Sequence, residues 1–270
     1  VKFTMLGTLE VVHDGRTCTP TAPKVRQVLA LLLSRPGQIV ELESIIKDLW
    51  DERPPRSAVT TTQTYIYQLR RTFAQELGEE PAERLIGTVA PGYVLRVDED
   101  ALDSQVFARQ VAQGRALHAA GESPRAAQLV RRALGLWRGP VLSNVDSGPV
   151  LRGYTVHLEE RRIGALELLV QLDMELGRGR EIIPDLRGLV AAHPFNEWFH
   201  VRLITALGRA GRRGEALRAY ENLRRLLSDE LGLDPSPEAR QAHRDVLTGN
   251  ISAAPAAAGA SLAGRPPKAS

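Results

Sequence analysis

From Arg53 to Arg71 the chain carries Arg53, Arg56, Arg70 and Arg71 and not one aspartate or glutamate. Within and just beyond this window Val59, Thr62, Ile66, Leu69 and Phe73 recur at the three-and-four spacing that turns one stripe of a helix inward. At about 100° per residue the opposite face gathers Ser57, Thr60, Thr61, Thr64, Tyr67, Gln68 and Arg71. Hydroxyls and an amide flanked by cations suit a helix that lies in the major groove of DNA. Short side chains there reach base edges while arginines hold phosphates. Downstream, RLIGTVAPGYVLRV alternates around a Pro-Gly-Tyr turn and predicts a hairpin of Arg84–Ala90 and Gly92–Val97. A groove helix followed by a hairpin wing predicts a DNA-binding winged helix.

The side chains of this segment divide by role. Threonine is a mediocre helix former because its χ1 is restricted, so Thr60, Thr61, Thr62 and Thr64 are costly as plain surface. Base or phosphate contact is therefore assigned to Ser57, Thr60, Thr61, Thr64 and Gln68. Tyr65 and Tyr67 flank the face, where a ring can cover the core or a hydroxyl can meet a phosphate. Arg71 points outward as a phosphate contact, whereas Arg70 lies near the inward stripe and reads as half of a structural ion pair. Arg53 and Arg56 bracket Pro54-Pro55 at the helix entrance and read as backbone anchors. Lys24 and Arg26 open an earlier helix, where cations oppose the helix dipole, a misplacement that fits an external phosphate. In the hairpin, Arg84 and Thr88 are candidate wing contacts and Tyr93 belongs to the core.

The rest of the first hundred residues supplies the scaffold. Phe3–Val12 reads as a strand, His13-Asp14-Gly15 as a hairpin turn and Arg16–Thr21 as a second short strand. Lys24–Leu33 and Glu41–Trp50 read as helices, the groove helix runs from about Ser57 to Glu76, and Glu79–Glu83 reads as an acidic loop. The 270 residues suggest about two domains. A hydrophobic content of 43% with 25% charged residues is that of a soluble globular chain. The net charge of +3 is too small to act as a global field, so a DNA-binding surface must be local. One cysteine, Cys18, rules out an internal disulfide framework and points to a reducing, cytoplasmic setting. No signal pattern or membrane-length apolar run occurs.

After Asp98 strand signals stop and helical spacing continues through Leu247. GRGREIIPDLRGLV from Gly177 and GRRGEALRAYENL from Gly211 align at an offset of 34 residues. Glu181 falls on Glu215, Ile183 on Leu217, Leu186 on Tyr220 and Leu189 on Leu223. That period, with a small-residue turn between helices, is the tetratricopeptide spacing. A third copy from Gly121 fits the same frame but precedes an insertion, LWRGPVLSNVDSGPV. The predicted organisation is thus a winged helix over 1–97, an all-α tetratricopeptide-like domain over 98–250, and a disordered Ala/Pro/Gly-rich tail over 251–270.

KVRQVLALLL, DLWDERPPRSAVTTTQTYIYQLRR and PGYVL resemble the OmpR-type winged helix of the Streptomyces antibiotic regulatory proteins. ALGLWRGPVL, LEERRIGALELLVQLDMELGRGREIIPDLRGLVAAHP, ALGRAGRRGEALRAYENL and ELGLDPSPEAR resemble the bacterial transcriptional activation domain of the same family. The resemblance runs in order from Phe3 to about Leu247. It implies an activator of antibiotic biosynthesis genes that binds direct repeats near promoters and recruits RNA polymerase holoenzyme, σ factor included. Two protomers would sit head-to-tail on the repeats, about one helical turn apart. Larger members carry an ATPase or phosphopeptide-binding domain after this pair. The sequence has no P-loop, so the chain reads as a small member or the N-terminal part of a large one.

Other functions are weaker readings. Six scattered histidines and one cysteine give no metal spacing, and no nucleophile–base constellation occurs, so neither an enzyme nor a cofactor is expected. A protein-interaction scaffold would leave the acid-free helix face unexplained. A ligand-sensing repressor would need a polar cluster in an apolar pocket, and aromatic residues make up only 5% of the chain.

Overall fold

The structure, a computed structural model, describes residues 1–250, so the tail expected over 251–270 lies outside the described residues. Phe3–Val12 is two strands rather than one: β1 (Lys2–Thr4) and β2 (Glu10–His13) pair antiparallel, with Phe3 opposite Val11. Asp14 and Gly15 both take positive φ, the turn that two-residue hairpins favour, and lead to β3 (Arg16–Thr17). Helix α1 (Pro23–Ser34) starts with proline in its first turn, where the missing N–H costs nothing, and buries Val28 to Leu33 without interruption.

A short strand absent from the sequence reading, β4 (Ile39–Glu41), precedes α2 (Leu42–Trp50). The groove helix is α3 (Ala58–Leu77), and the wing is β5 (Ile86–Val89) with β6 (Gly92–Leu95). The sheet order is β4–β6–β5, all antiparallel. Gly92 is required in this sheet, since a Cβ there would lie 2.0 Å from the carbonyl oxygen of Val40. Two sequence expectations change. The acidic loop is helix α4 (Glu79–Leu85), because Glu79 and Glu80 favour a helix N-terminus and Arg84 pairs with Glu80 one turn away. Val59 is 48% exposed rather than inward, because Ala58, four residues before Thr62, takes the buried place at the head of the stripe.

Helices α5 (Asp103–Ala119), α6 (Ser123–Leu134), α7 (Pro149–Glu175), α8 (Ile183–Ala192), α9 (Glu197–Arg209), α10 (Arg213–Leu231) and α11 (Pro237–Thr248) follow. The chain forms two compact units. One comprises Val1–Ala120 with Gln128–Leu166, and the other Gly121–Ala127 with the residues from Glu167 onward. None of the helices among the described residues is long and apolar enough to cross a membrane.

In the first unit, buried polar side chains join the winged helix to the helices after it. The Asp48 carboxylate in α2 accepts from Gln27 Nε2 at 2.9 Å, from the Leu151 amide at 2.9 Å and from the Gly148 amide at 3.3 Å. It thereby caps the N-terminus of α7, where a negative charge is stabilised by the helix dipole. Asp103 accepts from the amides of Met5 and Leu6 and from Arg138, while burial pushes its carboxyl pKa up. Asn144 trades two hydrogen bonds with the Leu9 backbone.

In the second unit, Ile204, Leu207, Leu186, Tyr220 and Leu223 form one core. The two repeat turns match: Gly177 and Gly211 both have φ +77, and each follows a helix that it terminates. His200 donates through Nε2 to the Pro194 carbonyl at 2.9 Å, and burial pulls its pKa down.

Asp48→Ala would strand two amides and a glutamine and is expected to cost about 2–4 kcal/mol in denaturant unfolding. Burial makes His200 harder to protonate in the folded chain than in the unfolded chain, where it takes a proton near pH 6.5. Its contribution to stability is full above that pH and declines as pH falls below it. Unfolding measured from pH 7 to pH 5 should therefore show a shallower acid decline in His200→Gln than in the parent.

Candidate nucleic-acid interface

Helix α3 buries Thr62, Ile66, Leu69 and Phe73, and this fixes what the other side presents. Phe73 meets Phe3 edge-on at 6.3 Å, and Trp50 of α2 stacks on Tyr65 at 6.5 Å. The outward face then shows Ser57, Thr60, Thr64, Tyr67, Gln68 and Arg71, all exposed, with Thr61 half-buried beside them. Tyr67 is the most prominent, 64% exposed. Three of the threonine hydroxyls have local partners. Thr64 donates to the Thr60 carbonyl at 2.9 Å, Thr72 to that of Gln68 at 3.0 Å, and Thr61 to the Ser57 hydroxyl at 3.3 Å. These bonds occupy the hydroxyl protons and leave oxygen lone pairs and the methyl groups facing outward.

The cations divide into two kinds. Arg53, Arg56 and Arg71 are exposed, and their side chains make no hydrogen bond or ion pair among the described residues. Arg70 is committed inward. Its Nε and Nη2 donate to the Ile86 carbonyl at 3.2 and 3.0 Å, and Nη2 also reaches Thr88 Oγ1 at 2.8 Å. The expected ion pair of Arg70 is therefore a hydrogen-bonded clamp from helix to wing, with a strand carbonyl in place of a carboxylate. Sequence reasoning missed this because a backbone acceptor leaves no residue-type signal.

Several other expected contacts sit differently from the sequence picture. Arg84 lies in α4 rather than in the hairpin and pairs there with Glu80. Thr88 stays exposed on β5 but its hydroxyl is held by Arg70. Tyr65 is half-buried, with its ring on Trp50. Lys24 is half-buried and donates to Gln27 Oε1 at 3.0 Å and to the Leu49 carbonyl at 3.1 Å. Its charge opposes the dipole of its own helix but sits on the last turn of α2, where a cation is favourable. That internal use removes the reason for invoking an external phosphate. Tyr93 is buried in the wing sheet, as expected.

The cationic face has a sharp electrostatic edge. Between α2 and the start of α3 lies an open groove of about 880 Å³ whose walls include the acids Glu41, Glu43, Asp51 and Glu52, the cations Lys47 and Arg56, and Ile46, Pro54 and the exposed Val59. Four carboxylates against two cations leave this groove net negative, beside the face bearing Thr64, Gln68 and Arg71. Among the described residues no group of histidine, cysteine and carboxylate side chains could hold a metal.

Comparison with known proteins gives this geometry a context. Residues 16–95 match the C-terminal domain of transcriptional regulatory proteins, and residues 102–247 match the bacterial transcriptional activator domain. The regulatory protein DnrI of Streptomyces peucetius is 38% identical over 250 residues, covering 92% of each chain. The chain belongs to the Streptomyces antibiotic regulatory protein family. The transcriptional regulator RedD of Streptomyces coelicolor is 34% identical, over 92% of this chain and 70% of its own. The regulatory protein AfsR of Streptomyces griseus is equally similar but much longer, and the match spans 24% of it. Among solved structures, Mycobacterium tuberculosis EmbR in complex with a low-affinity phosphopeptide superposes with a TM-score of 0.85 at 29% identity, over 92% of this chain and 65% of that one. As a family member the chain is a transcriptional regulator built from a winged helix and a helical activator domain.

The two adjacent arginines of α3 should separate cleanly in stability. Arg70→Ala removes a charged donor from the Ile86 carbonyl and is expected to lower unfolding free energy by about 1–2 kcal/mol. Arg71→Ala should change it by less than about 0.5 kcal/mol. Thermal or urea unfolding of the two variants side by side checks the distinction.

Proposed function

We propose that this regulator is an activator that binds double-stranded promoter DNA through α3. The observation that carries the reading is the exposed face of α3, where hydroxyls, an amide and the unpaired Arg71 stand together without a carboxylate. Thr60, Thr64 and Gln68 would meet base edges in the major groove, with Ser57, Thr61 and Tyr67 beside them. Arg53, Arg56 and Arg71 would hold phosphates on either side. The β5–β6 hairpin, held to α3 by Arg70, would lie along the neighbouring backbone. Arg84, Lys24, Thr88 and Tyr65 contribute to this reading only by shaping its borders, because each already has a partner within the protein.

In this reading residues 1–97 read DNA and residues 98–250 serve activation. Two protomers bind direct repeats about 10–10.5 base pairs apart, head-to-tail, so that both lie on one side of the duplex. The genes controlled are those of antibiotic biosynthesis, in keeping with the relatives. Activation follows from added contacts that hold RNA polymerase holoenzyme at a weak promoter. The groove beside α2, with four acids against Lys47 and Arg56, is net negative, and its chemistry suits a basic segment of the polymerase or its σ factor.

A footprint on the promoter region beside the gene tests the DNA reading. A pair of protected direct repeats is expected. Thr64→Ala should relax base preference at one position of each repeat by about 1–3 kcal/mol, and Arg71→Ala should flatten the salt dependence of affinity by about one counterion. No specific footprint at low salt would overturn the assignment of α3. For polymerase contact, Glu43→Lys combined with Glu52→Lys is expected to abolish activation in run-off transcription while leaving the footprint intact. Full activation by that variant would remove the groove from the mechanism.

A further inference from the structure

The second compact unit holds a groove that the DNA reading does not use. It is about 310 Å³ in volume, walled by α8 and α10 and floored by α9. Its apolar surface comes from the half-buried Val190 and Ala219, with the buried Leu203 and Leu207 beneath them. Its polar rim is arginine-rich. Arg187 on α8 and Arg218 on α10 are both exposed, and the amide of Asn222 stands beside them.

Glu215 is the one acid in the lining, and its charge is already answered. Arg212 holds it with two bonds, Nε to Oε1 at 2.8 Å and Nη2 to Oε2 at 2.7 Å. Arg187 adds a third bond to Oε2 at 2.5 Å. The arginine bonds pull the Glu215 pKa down to about 2, so it stays ionised at any physiological pH. Arg187 makes one bond to Glu215 where Arg212 makes two, so its guanidinium keeps further N–H groups for an incoming carboxylate. Arg218 is freer still: its Nε donates over a long 3.3 Å to the Gly214 carbonyl of its own helix. The groove thus offers two cations beside the half-buried Val190 and Ala219.

We propose that this groove docks an acidic, leucine-bearing peptide segment of a partner protein, with aliphatic side chains against Val190 and Ala219 and carboxylates on Arg187 and Arg218. Charge complementarity selects the occupant. A basic segment would meet an unpaired guanidinium, and a nucleic acid has no aliphatic groups for the floor. The apolar contacts supply burial, and the bidentate arginine–carboxylate geometry supplies direction. The proposal does not rest on DNA binding by α3, and each can fail without the other.

The test uses the full chain and a fluorescein-labelled octapeptide of alternating aspartate and leucine, read by anisotropy. A lysine–leucine counterpart and an array of permuted acidic–leucine peptides are run beside it. The acidic peptide is expected to bind, and the lysine peptide to bind at least about tenfold more weakly. Arg218→Glu should reverse that order, and Ala219→Trp should block both peptides by filling the groove. Circular-dichroism melts of both variants should match the parent, which shows that they are folded. Equal binding of the acidic and basic peptides, indifference to Arg218→Glu, or no binding anywhere in the array would overturn the proposal. So would displacement of the peptide by free glutarate at equal concentration, since a small carboxylic acid would then be the better ligand.

Discussion

The buried carboxylate of Asp48 is the contact around which the first unit is organised. It sits on α2, takes a hydrogen bond from Gln27 on α1 and caps the start of α7 through the amides of Gly148 and Leu151. A carboxylate buried to this degree is tolerable only when its lone pairs are occupied, and α1 and the start of α7 occupy them together. The consequence reaches α3. Helix α2 is the surface on which Tyr65 stacks through Trp50, so the element that holds α2 also sets the platform behind the groove helix. Asp103 and Asn144 repeat the device on the first sheet, each satisfying loop amides between residues 5 and 9. The winged helix and the first helices of the activator region therefore fold as one body, even though the two family domains are recognised separately along the chain.

Charge is distributed around α3 by the same economy of partners. Cations with an internal task, Arg70 on the wing and Lys24 at the end of α2, are turned inward and held by carbonyl oxygens. Those without one, Arg53, Arg56 and Arg71, are left in solvent. On the far side of the α2–α3 turn the carboxylates of Glu41, Glu43, Asp51 and Glu52 line an open groove. A nearly neutral domain thereby acquires a positive face and a negative one, separated by a single turn of chain. The net charge says nothing of this, because the field near a surface follows placement rather than sum.

Much of this was legible in the sequence, for identifiable reasons. The period of Thr62, Ile66, Leu69 and Phe73 demands a helix with one buried side, and that alone places Thr60, Thr64, Gln68 and Arg71 on the other. The 34-residue repeat, with Gly177 and Gly211 in the same left-handed turn, announces stacked helix pairs because only glycine takes that conformation without strain. What escaped has a common cause, reliance on partners distant in sequence. Strand β4 exists because β6 offers it a ladder, and three residues carry no period of their own. The region of Glu79–Glu83 reads as a loop until Glu80 and Arg84 are seen to pair across a turn of α4.

The sequence by itself determined the helices α1 to α3 and the wing hairpin, which face of α3 is polar and acid-free, and that the second half is built of repeated helix pairs. Those properties are periodic and local, set by side-chain spacing along one element. Only the tertiary structure decided which arginine is a clamp and which is free, that Lys24 serves a neighbouring helix, and that Arg187 and Arg212 share the single carboxylate of Glu215. A cation's role is fixed by the nearest acceptor. In a fold that acceptor is most often a backbone carbonyl or a carboxylate on another element, and neither leaves a mark on the residue that will use it.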